Sequence, residues 1–115
     1  MEKVEWKSDV RVQGFDYVVR NKGVEQIDIV RQVVPAGFDM IQCVYVLNHL
    51  YTPGHIEKAL NNFKESGIRW LFATQSDLYP LPGLGKPVEE APHKVKNSGG
   101  RSYRWFYALW EINPP

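Results

Sequence analysis

The chain has 115 residues, 43% of them hydrophobic, 13% aromatic and 23% charged, which is the size of one globular domain. Fourteen Lys and Arg against thirteen Asp and Glu leave a net charge of +1, so no excess of either sign marks a polyanion or a membrane surface as the partner. Four Trp, six Tyr and five Phe exclude a disordered chain, and the lone Cys43 excludes an internal disulfide and points to a reducing, cytoplasmic compartment. Met1-Glu2-Lys3-Val4-Glu5 holds no apolar signal core, and no apolar run approaches the roughly 20 residues that span a bilayer.

Residues 10–19 read as extended: Val10, Val12 and Phe15 are apolar, Gly14 interrupts them, and Tyr17, Val18 and Val19 follow Asp16. Arg20-Asn21-Lys22-Gly23 is turn chemistry. Residues 24–34 centre on Ile27, Ile29 and Val30, which predicts a short strand at 27–30 closed by Pro35-Ala36-Gly37. Residues 38–47 give the strongest strand pattern, nearly all apolar from Met40 to Leu47. A run without alternation suits a strand buried on both faces, and its β-branched and aromatic content favours strand over buried helix.

The clearest helix spans 53–66. Thr52 is placed to cap it and Pro53 suits its first position, while Ile56, Ala59, Leu60 and Phe63 form an apolar stripe and Ser66-Gly67 stops it. Residues 68–74 predict a further strand, so strand, helix and strand follow one another as a βαβ unit. Residues 79–92 are rich in proline and predict a loop. The pattern at 93–96 and 101–112, around Asn97-Ser98-Gly99-Gly100, predicts a β-hairpin.

The stretch Phe38-Asp39-Met40-Ile41-Gln42-Cys43-Val44-Tyr45-Val46-Leu47-Asn48-His49-Leu50 resembles the fourth strand and following turn of class I S-adenosylmethionine-dependent methyltransferases. Gly14-Phe15-Asp16 resembles the end of that family's second strand, where an acidic residue binds the cofactor's ribose. Gln26-Ile27-Asp28-Ile29 resembles its third-strand motif, where an acidic residue reaches the adenine amine. The C-terminal hairpin resembles the family's antiparallel sixth and seventh strands. The likeness runs from about Val10 to Ile112.

The resemblance implies a single α/β domain over 1–115, with a Rossmann-like, methyltransferase-type, mostly parallel sheet, a C-terminal antiparallel hairpin and fewer helices than usual. It implies S-adenosylmethionine as cofactor, held by Asp16, Asp28, Ile29, Cys43 and Tyr45. No catalytic residue is assigned, because methyl transfer from a sulfonium needs alignment more than acid–base work. One departure is clear. Residues 1–14 hold one glycine, so the family's first strand and its Gly-rich cofactor loop have no counterpart, and the chain reads as a truncated or minimised member.

Each of these residues also has a structural reading. Asp16 and Asp28 stand where aspartates commonly form turns, Cys43 suits the core better than a thiol–imidazole pair with His49, and Asn48-His49 suits a turn held by side-chain hydrogen bonds as well as a substrate contact. His49, His55 and His93 lack metal-ligand spacing. Gly83-Leu84-Gly85-Lys86 is not a phosphate loop, because Pro87 stands where Ser or Thr is needed. His93, Lys94, Lys96, Arg101 and Arg104, interleaved with Tyr103 and Trp105, leave nucleic-acid contact open as a further reading. With one helix for the sheet, the uncovered face is expected to meet a second copy or a partner protein.

Overall fold

The computed structural model describes residues 14–16, 24–50, 52–78 and 80–115, with 14–16, Val24 and Ser98 described as backbone alone. Strands β1 (Gly14–Asp16) and β2 (Val24–Gln26) pair in parallel as a two-stranded sheet. The rest of the expected strand at 10–19 lies outside the described residues. The strand expected at 27–30 is a turn, and the ladder ends at Gln26. The Asp28 carboxylate accepts from the Val30 N–H at 3.1 Å, and its carbonyl accepts from Arg31 and Gln32 at 3.1 and 2.8 Å. Aspartate offers the backbone a local partner that competes with strand pairing, and here it wins.

Strand β3 (Met40–Cys43), helix α1 (His55–Glu65) and strand β4 (Trp70–Ser76) form the expected unit, with β3 and β4 parallel from Met40↔Trp70 to Cys43↔Ala73. Strands β5 (Glu89–Ser98) and β6 (Arg101–Glu111) form the hairpin, and β6 runs antiparallel between β4 and β5. The sheet order is β3-β4-β6-β5. This sheet is mixed, not mostly parallel as expected, because the long hairpin supplies half of its strands. The molecule is a small α/β domain with one α-helix among the described residues.

The core lies between α1 and one face of this sheet. Ala59, Leu60 and Phe63 from the predicted stripe pack with Cys43, Leu71, Ala73, Ala108 and Trp110, joined by Ile27, Val34 and Leu47. Successive strand residues point to opposite faces, so Gln42, Phe72, Thr74, Trp105, Tyr107 and Leu109 face away from α1. The hairpin turns at Gly99 and Gly100, whose φ angles of 57° and 76° suit glycine.

Candidate functional site at the carboxyl ends of β3 and β4

In open α/β sheets, ligands bind beyond the carboxyl ends of parallel strands. Here β3 ends at Cys43, well short of the expected Leu47. The chain turns at Tyr45, whose φ of 58° is left-handed, and then forms a single 3-10 turn over Leu47–His49. That turn sends the Tyr45 N–H to the Thr74 hydroxyl at 2.8 Å, and the hydroxyl donates in turn to Asn48 Oδ1 at 3.2 Å. Thr74 is fully buried near the end of β4. One side-chain oxygen thus links the ends of both parallel strands.

Three side-chain atoms in this neighbourhood are buried and have no hydrogen-bond partner among the described residues: Asn48 Nδ2, Tyr45 Oη and Trp105 Nε1. Buried polar groups are nearly always paired, so such atoms call for an explanation, an absent ligand being one. The Tyr45 ring meets Trp105 edge-on at 5.0 Å and His93 at 5.9 Å, and Lys94 Nζ sits 4.6 Å from its centre. The hairpin therefore walls one side of the strand ends.

The residues named from sequence separate in space. Asp16 closes β1 opposite Gln26, and its side chain lies outside the described residues. The partly buried Asp28 carboxylate holds its own turn and also receives the Arg31 guanidinium at 3.1 Å. Ile29 packs against the core, and its carbonyl accepts from Asn62 of α1 at 2.8 Å. Cys43 lies in the core, where burial pushes its thiol up to about 12, so it stays protonated and unreactive at neutral pH. Of the four whose side chains are described, Tyr45 alone is in the polar cluster. His49 is exposed, and Cys43 is buried in the core with its thiol held protonated, so Cys43 offers no thiolate for nucleophilic attack.

The sequence does not single out Thr74, and it marks Trp105 only as an aromatic among the basic residues of the hairpin. The one available sign for Thr74 was a lone hydroxyl closing the otherwise apolar run Trp70-Leu71-Phe72-Ala73. No group of three His, Cys, Asp or Glu side chains that could hold a metal ion occurs among the described residues, and none of their helices is long and apolar enough to cross a membrane.

No family model and no curated protein sequence matches this chain. Among solved structures, one described as "Putative methyltransferase yhhF from Escherichia coli" is 11% identical, with a TM-score of 0.34 over 76% of this chain and 49% of that one. The chain spans about half the length of that structure. A likeness of this degree assigns neither a family nor an activity.

Proposed function

We propose that this chain is a methyltransferase-type α/β domain that binds the nucleoside part of S-adenosylmethionine at the carboxyl ends of β3 and β4. The observation that carries the reading is the Tyr45–Thr74–Asn48 network, with the Asn48 amide buried and unpaired beside it. A buried amide N–H without a partner costs about 1–3 kcal/mol, which a ligand acceptor would recover. A ring nitrogen or a ribose hydroxyl is such an acceptor, and the Tyr45 hydroxyl is a second free group beside it. The order strand, helix, strand, antiparallel hairpin supports the same reading.

Asp16 ends β1 at the carboxyl side of the other parallel pair. It is the strand-end acid left to accept from ribose hydroxyls, since the Asp28 carboxylate is already engaged. The bound cofactor would supply an electrophilic methyl group. The chain's own part is to hold the nucleoside and keep water from it, with Trp105 and Tyr45 as apolar walls.

Calorimetric titration with S-adenosylmethionine and S-adenosylhomocysteine tests this. Saturable binding is expected, weakened about tenfold or more by Asn48→Ala and by Asp16→Ala, a loss of at least about 1.4 kcal/mol. No heat at millimolar ligand with the folded protein would remove the reading.

A further inference from the structure

We infer that the sheet face opposite α1 is a docking surface for single-stranded nucleic acid. Tyr103, Trp105, Tyr107 and Leu109 alternate along β6 onto this face. The register adds Phe72 from β4 and Lys96, Lys94 and Ala91 from β5. The helix packs against the other side chains of the same strands. On this face the turn from Tyr45 to Asn48 covers Thr74 and Trp105, and no described helix covers the remainder. A depression of about 620 Å³ lies open on it, with Met40, Phe72, Ala91 and Tyr107 in its lining.

The rings on this face form an unbroken series. Centroid separations are 6.3 Å from Tyr103 to Trp105, 5.0 Å from Trp105 to Tyr45, 5.9 Å from Tyr45 to His93, 4.4 Å from His93 to Tyr107 and 5.6 Å from Tyr107 to Phe72. Trp105 is only 6% exposed and is the floor; Tyr103, Tyr107 and Phe72 are half-buried and His93 is exposed, so these rings pack on one another and keep part of their surface open to solvent. Tyr103 and Tyr107 are separated by about 13 Å at the rise of a strand, room for two or three splayed bases. Every base has a π-face, so such a series binds without a fixed sequence.

Charge selects the occupant. Lys94 and Lys96 are exposed on this face, and Arg101 is exposed at the hairpin tip. Arg104 belongs to the other face, where it pairs with Asp77 at 3.3 Å and lies over Phe106. Glu89 and Glu90 line the depression at the far end of β5, opposite Leu109 and Ala108, so the basic side chains are confined to the half of the hairpin nearer its tip. The near-zero net charge therefore conceals a local basic strip beside the rings, which fits a phosphate backbone running past stacked bases. A duplex keeps its bases stacked on each other and out of reach, so the preference is for single strands.

The inference does not rest on cofactor binding, and its test omits the cofactor. Fluorescence anisotropy of labelled 12-nucleotide single-stranded RNA, single-stranded DNA and their duplex, at two salt concentrations, reads it directly. Binding of one or both single strands is expected, with the duplex at least about tenfold weaker. Tyr103→Ala should weaken binding roughly 5- to 150-fold, the effect of losing one stacked base. The double variant Lys94→Gln, Lys96→Gln should lower the slope of log affinity against log salt by about 1.4, at about 0.7 per phosphate contact. These exposed lysines keep the test open should Tyr103→Ala fail to fold. Duplex preference, affinity unchanged in both variants, or no binding at 0.1 mM single strand would each overturn the inference. So would a dimer in light scattering that covers the face and excludes the oligonucleotide.

Discussion

Thr74 does two jobs with one hydroxyl: it accepts from Tyr45 N–H and donates to Asn48. Thr74→Val keeps the shape and removes both bonds, leaving a buried N–H and a buried amide oxygen unpaired. We expect a loss of about 1–3 kcal/mol, read as a lower urea midpoint at unchanged slope. Thr74→Ser should recover most of it. Cys43 gives a prediction of a different kind. Burial pushes the folded thiol up to about 12 from its ordinary value of 9.0. The folded state therefore holds a proton that the unfolded state sheds once pH exceeds that lower value. The contribution is whole below about pH 9 and declines by about 1.4 kcal/mol per pH unit above it, until the folded thiol itself ionises. Urea midpoints against pH should fall less steeply above that point in Cys43→Ala than in the parent. Parallel curves would place the thiol in contact with water.

At the scale of elements, α1 shows how far a pattern of residue types carries. The stripe Ile56, Ala59, Leu60 and Phe63 names the buried face correctly, because burial on one side of a 3.6-residue repeat leaves that trace in any sequence. The start does not follow the cap rule. Pro53 and Gly54 form a turn, Gly54 at φ 83° occupies the capping position, and no side chain caps the first turn. Thr52→Ala should therefore change stability by less than about 0.5 kcal/mol, where a capping threonine would cost about 0.5–2 kcal/mol. Gly54→Ala should cost about 1 kcal/mol from backbone strain, since open space surrounds its Cβ. Chemical denaturation of the two variants separates the cases. Strand ends were obscured for similar reasons. The apolar run past Cys43 hides the turn at Tyr45, whose conformation depends on Thr74, distant in sequence. Proline suggested a loop up to residue 92, yet β5 already begins at Glu89. An edge strand tolerates Pro92, with the register shifting between it and Lys94. Of the candidate site, Tyr45 and Asn48 were visible as chemistry-bearing residues. Their union with Thr74 and Trp105 was not, because it depends on strand register.

At the scale of the whole molecule, stability is distributed unevenly across the sheet. Strands β4 and β6 are paired on both sides; β3 and β5 are the edges. The buried side chains follow the same order. Leu71, Ala73, Thr74, Ala108 and Trp110 are at most 2% exposed, whereas β5 is exposed at every described side chain. Amides deep in the molecule exchange with solvent only through global opening, and those at an edge through local opening. Native-state hydrogen exchange should thus find amides within 70–76 and 105–110 the slowest. Those of β5 that do not bond to β6 should be fast, with the bulge after Pro92 as the first point of fraying. Equal protection along both sides of β5 would mean that its outer edge is covered, as it would be if a second copy added a strand there. Proline, the bulge and the paired lysines are the features that keep an edge strand from such pairing. The same exposed lysines that blunt the edge stand beside the aromatic face. Protection that rises on the face of β6 when single-stranded oligonucleotide is added, while the β5 edge stays fast, would distinguish a bound strand on the face from a chain paired at the edge.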